Sequence, residues 1–402
     1  MRSILLPASL LLVPLALTAC GEAASSPADE VVFDTLPNGV VHVRSPQTGI
    51  WSEGERWRMV EDLRIGTMDG TGPDVFGNIA GLEADGEGRI YVADGQASEL
   101  RIFGPDGRHL RTLGREGAGP GEFRQISGVD WHPDGRLWVM DAGNSRFAII
   151  HPEEGFVEGL RREAGFRMFP WPGRLDRDGN LHDLIMVQGE GNPMERDRAV
   201  VRHAGGDLAP LDTLVLPAFQ SSTFDLSGDD GRRLVSAGIP FTPSQVWTVA
   251  ADGDLWIGNN DRYRIHRVSR AGDTIRVLER PYRPVAVTAS ERQEAIDNLE
   301  WFTNQGGRID ASRIPDAKPA FGRLFEDEAG YLWVAATVAE GEPRSFDVFD
   351  PDGRYLGAVE APEGLGYQLP VIRGRHLYAV VQDEFEVPYV ARYRIEGRGG
   401  DA

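Results

Sequence analysis

Reactive side chains are few in this chain, and they do not gather. There is one cysteine, Cys20, and there are eight histidines: His42, His109, His132, His151, His182, His203, His266 and His376. A zinc site needs three or four such ligands at one point. His132 falls in a turn, His109, His151 and His203 fall in outer hairpins, and only His182 falls on an inner hairpin. No three of them converge. A Gly-x-Ser-x-Gly elbow is missing, and the glycine-rich run Gly114 to Gly121 opens no helix, so it is no phosphate loop. Asp176-Arg-Asp-Gly-Asn180 has the start of a calcium loop without its downstream ligands, and it reads as a hairpin turn. Arginine stands out, with 41 residues against the single Lys318. Guanidinium forks bind carboxylates and phosphates. Arg124, Arg146, Arg262 and Arg323 are candidates for an anion site, and ordinary loop-ordering bonds are the competing use for each.

The elements that must position these groups repeat. Ala84-Asp-Gly-Glu-Gly-Arg-Ile-Tyr-Val-Ala-Asp94 returns as His132 to Asp141, Asp176 to Leu184, Ala251 to Asn259 and Glu326 to Ala336, with a worn copy at Ile372 to Val381. Repeats of this length decide a fold before local propensity does. Each copy is an apolar run, an Asp-Gly-type turn that tolerates positive φ, and a second run rich in Val, Ile, Leu, Tyr and Trp. A further hairpin follows most copies, as in Leu100 to Gly114. The unit is therefore four antiparallel strands, a to d, of roughly 45 residues. Turn aspartates Asp85, Asp134, Asp178, Asp252 and Asp327 are 49, 44, 74 and 75 residues apart, so the longer gaps hold inserted loops, without the strand-turn-strand phrase. The sixth unit lacks a strand d. Met59 to Gly66 ends in Arg-Ile-Gly, like Arg-Thr-Leu-Gly114, and is expected to supply it and remove two open sheet edges. Gly39 to Arg44 is expected as an outer strand.

Arg101-Ile-Phe-Gly-Pro-Asp-Gly107, followed by Gly114-Arg-Glu-Gly-Ala-Gly-Pro-Gly-Glu-Phe123, resembles an NHL-type repeat. The chain from about residue 59 to 395 resembles the bacterial six-bladed β-propeller lipoproteins of that superfamily. The resemblance implies an all-β fold of six four-stranded antiparallel blades, closed by an N-terminal strand, with one short helix in an insertion. It does not choose an activity, because such propellers include binders, lyases with histidine-bound metal, and lactonases with Asp and Asn around a central ion.

Sidedness follows from the four-strand order. The a–b and c–d turns lie on one face, and the b–c loops and d–a links on the other. The Asp-Gly turns are short, so the first face reads as plain. Residues 188–197, 217–244, 281–320 and 338–345 are long, and all four fall on the second face, where binding loops usually sit. In the insertion 281–320, Ser290 can cap a helix with Gln293 at the capping-box position, and Ala295, Ile296, Leu299 and Phe302 share a stripe. That stripe packs on a blade top, or forms a lid that brings Trp301 near the channel. Residues before each strand a should line the channel mouth: Asn78, Arg124, Gln125, Trp171, Gln245, Arg323 and Gln368. The b–c loops add Asn144, Arg146, Asn259 and Arg262 to the candidate ligand-binding set, and Asp94, Asp141, Asn260 and Asp261 around them.

Met1-Arg-Ser, an apolar run to Leu17 and Leu17-Thr-Ala-Cys20 read as a signal peptide (1–19) ending in a lipobox, with Cys20 lipidated. Residues 20–38 read as a flexible tether and 39–397 as the propeller. No aspartate follows Cys20, which favours the outer membrane over the inner, facing the periplasm or the cell surface. The formal charge is −20, and −21 once Arg2 leaves with the leader. Such a body repels nucleic acid, and its membrane contact is expected through the lipid alone. A protein, peptide or glycan is the expected partner. Two functions fit: a non-catalytic, lipid-anchored binding scaffold that uses the insertion-bearing face, or a metal-assisted lyase or lactonase at the channel mouth, with calcium in the central channel. The first is preferred because no catalytic constellation is legible.

Overall fold

The computed structural model describes residues 30–162, 170–188, 196–228 and 233–398. The proposed signal peptide, Cys20 and the first part of the tether lie outside the described residues, as does most of the loop 188–197.

Six antiparallel sheets follow one another around a ring. Blade 1 runs through Ile79–Ala84, Ile90–Asp94, Glu99–Phe103 and His109–Leu113, and blade 2 through Ile126–Trp131, Leu137–Asp141, Arg146–His151 and Gly155–Arg161. Blade 3 has Arg174–Leu175, Leu181–Gln188, Arg196–His203 and Pro210–Val215, and blade 4 has Gln245–Val249, Leu255–Asn259, Arg264–Val268 and Thr274–Glu279. Blade 5 has Phe321–Glu326, Leu332–Ala336, Ser345–Phe349 and Tyr355–Glu360. Blade 6 takes Val371–Arg373, His376–Gln382 and Pro388–Glu396 from the C-terminus and Arg58–Ile65 from the N-terminus, paired from Val390↔Ile65 to Glu396↔Arg58. The ring is thus closed as expected. Beyond the last strand, Arg398 meets Asp327 of blade 5 at 2.9 Å and lies over Trp57 and Tyr331, 5.2 and 5.1 Å from their ring centres.

The outer strand also forms. Val41–Arg44 runs parallel to Thr274–Glu279 on the edge of blade 4, and Val32–Thr35 pairs antiparallel with it. The end of the stretch expected as tether is therefore structured. Fully buried Val43 fixes it, packing with Leu278 in the core between blades 4 and 5.

The turn phrase works through the last residue before each a–b turn. Asp85 Oδ1 accepts from the amides of Glu87 and Arg89, both at 2.9 Å, and Asp327 Oδ1 accepts from those of Ala329 and Tyr331 at 3.0 Å. The other oxygen takes a ring on strand b. Tyr91 Oη donates to Asp85 at 2.8 Å, Trp333 Nε1 donates to Asp327 at 3.0 Å, and His182 Nε2 lies 2.9 Å from Asp176. In blade 2 that position is His132, which stacks on Trp138 at 5.5 Å, and the indole N–H of Trp138 has no acceptor among the described residues. In blade 4 it is Ala250, and Trp256 Nε1 reaches Glu326 of the next blade. The spacings read from the sequence mixed two positions. The hairpin-closing amides are those of Asp85, His132, Asp176, Ala250 and Asp327, so the equivalent gaps are 47, 44, 74 and 77 residues.

The insertions differ from expectation. Residues 217–244 do hold two paired antiparallel strands, Thr223–Ser227 with Arg233–Gly238, but they stand outside the blades. The helix α1 (Ala289–Asp297) is capped by Thr288, not Ser290. Thr288 and Glu291 bond each other's amides at 3.2 and 3.0 Å, while the Ser290 hydroxyl donates to Glu340. The chain bends at Asn298 into a second helix, α2 (Glu300–Asn304), and the expected single stripe is split between the two. Leu299 and Phe302 pack with Phe224, Ala237, Ile239 and Ile314 in a satellite core shared by the two insertions, not on a blade top.

Candidate functional site

The strands a line an axial channel with a wide well at each end. Where these strands begin, on the insertion-bearing face, the well is a cavity of about 630 Å³. Trp171, Gln245, Arg323 and Gln368 line it. Trp171 is buried; its ring meets Phe147 edge-on at 5.2 Å, and its N–H donates to Asp183 at 3.1 Å. Gln245 donates to the Pro217 carbonyl at 2.9 Å and accepts from Arg198 at 2.6 Å. Arg323 donates to the Gly366 carbonyl at 3.3 Å, and Gln368 donates to the carbonyl of Ile79.

The other candidates do not line the cavity. Asn144 donates to Gly117 O and Asp141, and Arg146 donates to Gly119 O at 3.0 Å and to Glu122 O. These are loop-ordering bonds. The amides of Arg124 and Gln125 donate to Asp141, and Asp94 accepts from those of Gly77, Asn78, Gln96 and Ala97. The side-chain oxygen of Asn78 accepts from Tyr367 at 3.2 Å. Asn259 and Arg262 are exposed, and Asp261 lends its carbonyl to Tyr282. Asn260 is buried between the Ser244 amide and the Phe321 carbonyl. So Arg124, Arg146, Arg262 and Arg323 do not meet: of the four only Arg323 reaches the cavity. The side-chain oxygens of Asp94, Asp141 and Asn260 already hold backbone amides, and no group of three or more His, Cys, Asp or Glu among the described residues is arranged to hold a metal. Trp301 is exposed and does not line the cavity, so α2 is no lid over it.

Sequence reasoning missed two features. The first is Arg198, on strand c of blade 3, which points into the cavity. Its residue type and strand position carry no mark that it turns toward the axis.

The second is a charged belt deeper in the channel. One register position carries Glu83 in blade 1, Asp130 in blade 2 and Arg174 in blade 3, opposite Tyr91, Trp138 and His182. Arg373 of blade 6 donates to Glu83 at 2.9 Å and to the Ala84 carbonyl at 3.0 Å. Arg174 donates to the Glu326 carbonyl at 2.9 Å. Asp130 accepts from the amides of Leu175 and Trp131. Burial pushes the Glu83 carboxyl up to about 7 against the pull of Arg373, with the nearby Asp130 adding to the rise. Asp130 is raised too, by burial, with Arg174 opposing. In contrast Asp176, where burial acts upward, is held at about 2 by His182 and Asn180. Below the belt the a–b turns surround a second well of about 850 Å³, lined by Asp85 to Gly88, Arg177, Gly374 and Arg392 among others. The face expected to be plain therefore holds a hollow of its own, walled by the short a–b turns.

A family profile described as a six-bladed β-propeller matches residues 75–147. The chain is a six-bladed β-propeller. It is similar to a protein of Bacteroides fragilis described as exported, with TM-score 0.51 at 13% identity over 88% of this chain and 99% of that one. Virginiamycin B lyase from Staphylococcus aureus gives 0.42 at 12% identity, over 84% and 99%. A gluconolactonase from Xanthomonas campestris gives 0.39 at 12%, over 77% and 82%. Likeness at these identities is likeness of fold alone. No curated protein matches the chain. Among the described residues, no helix is long and apolar enough to cross a membrane.

Proposed function

We propose that this propeller is an exported, lipid-anchored binding module that takes a protein, peptide or glycan at the channel mouth on its insertion-bearing face, without catalysis. The carrying observation is the 630 Å³ cavity at that mouth, ringed by strand-a side chains from several blades. Pockets of this size on rigid scaffolds suit a ligand side chain or sugar. The carboxylates that line it are already bonded. Glu326 accepts from the Ala251 amide at 2.9 Å and from Trp256, and Glu83 pairs with Arg373. That arrangement holds a ring together rather than activating water.

The test is array binding by the intact protein beside a Val246→Trp variant, which fills the cavity. Binding to peptides or glycans that disappears in the variant is the expected result. Binding that persists in full overturns the site. A stoichiometric metal ion that survives dialysis overturns the non-catalytic part in favour of a metal-assisted lyase or lactonase. For the anchor, Cys20→Ser should move the protein from the membrane to the soluble fraction; unchanged membrane recovery rejects lipidation.

A further inference from the structure

The ligand's chemistry can be taken one step further, on the reading above that this cavity is a binding site. Many cations of this acidic chain have a carboxylate in reach, as Arg89 has Asp85, Arg162 has Asp183 and Arg373 has Glu83. Arg198 and Arg323 do not. Arg198 crosses from blade 3 to the amide oxygen of Gln245 on blade 4, and Arg323 of blade 5 meets only the Gly366 carbonyl. Neither forms an ion pair among the described residues. Arg344, which donates to the Leu365 carbonyl at 2.9 Å, adds a third positive charge near Arg323. Burial pushes the guanidinium of Arg198 down, and burial together with Arg344 does the same to Arg323. Arg198 and Arg323 thus line one cavity of a protein with formal charge −20 without an ion pair of their own among the described residues. An anion entering there would find donors that are not engaged by a carboxylate. Beside the two arginines the wall offers Pro170, Pro172, Trp247 and Leu369, while the carboxylates of the lining, Glu83, Asp130, Glu326 and Asp327, are already bonded to amides, rings or arginines of the blades.

We propose that the cavity takes an amphipathic anion, drawn by Arg198 and Arg323, which line it from blades 3 and 5, with its apolar body against Trp247 and Leu369. The anionic end can belong to a free small molecule or to an acidic group on a peptide or glycan; the headgroup chemistry is shared.

The experiment is calorimetric titration of the full chain with naphthalene-1-acetate and its uncharged isostere naphthalene-1-acetamide at low salt, with 1-naphthyl phosphate as a second anion. The acid and the phosphate should bind at least tenfold tighter than the amide. In Arg198→Gln/Arg323→Gln that preference should fall below twofold while the affinity for the amide is unchanged, with thermal unfolding showing that the variant is folded. Equal binding of acid and amide by the wild type overturns the anion assignment and leaves the cavity as a site. Retention of the preference in the double variant overturns the role of the two arginines. Failure of all three compounds to bind at millimolar concentration overturns both this assignment and the site on which it rests. A terminal carboxylate as source is tested with a Phe-ended hexapeptide in its free and amidated forms: discrimination that needs both arginines supports the shared headgroup chemistry, and discrimination that survives their loss counts against it.

Discussion

The two wells of the channel share the same six inner strands yet treat charge in opposite ways. Toward the turn-bearing end Arg89 is bound to Asp85, Arg392 to Asp62, and Arg267 to Asp252 and Asp254, and in the belt between the wells Arg373 is bound to Glu83. At the insertion-bearing end Arg198 and Arg323 meet only neutral oxygens among the described residues. The contrast separates two uses of arginine. A guanidinium locked to a carboxylate across blades is part of the ring. One that faces a cavity with neutral acceptors keeps most of its binding capacity for something else.

The largest expected effect tests that division through stability. Arg373→Ala leaves Glu83 buried without its partner and should cost about 3 kcal/mol or more in urea unfolding. Arg198→Ala should cost less than about 1 kcal/mol, because it breaks no ion pair. Equal losses would break the comparison.

The next effect is a pH dependence confined to the belt. The folded carboxyl of Glu83, at about 7, lies above its ordinary 4.5, so the folded state holds the proton more tightly. Its contribution to stability is full below about pH 4.5 and is lost as pH rises through about 7. Over that window the wild type should lose stability relative to Glu83→Gln, with a slope of up to about 1.4 kcal/mol per pH unit. Parallel stability curves for the two proteins would reject the shift.

The smallest effect concerns single hydrogen bonds on the turn-bearing side. Trp333 Nε1 donates to Asp327, whereas the indole N–H of Trp138 has no acceptor among the described residues. Trp333→Phe should therefore cost about 1 kcal/mol more than Trp138→Phe in matched unfolding experiments. Equal costs would show that the ring-to-aspartate bond adds nothing to a blade.

Much of this architecture was legible because it is written locally. The strand-turn-strand phrase, the short sixth copy and the Arg-Ile-Gly ending of the N-terminal strand are patterns within a few residues, and they lead to six sheets and to Arg58–Ile65 pairing with Pro388–Glu396. Four of the mouth residues, Trp171, Gln245, Arg323 and Gln368, reach the cavity for the same reason: each lies at or near the start of a strand a. Arg146 and Asn144 look equally eligible in one dimension, but carbonyls of the loop at 117–122 take their donors.

What sequence alone determined is the repeat, the closure and the side on which the long loops fall, because hydrophobic alternation and turn chemistry act between neighbours. Which arginines are paired was decided by the folded ring alone. Glu83 and Arg373 are 290 positions apart and meet only when blade 6 closes on blade 1. Arg198 reaches Gln245 of the next blade across 47 positions, although Asp197 is its neighbour in the chain. Charge pairing is long-range in sequence and short-range in space, so only the tertiary structure could separate the cations that build this molecule from those left facing its cavity.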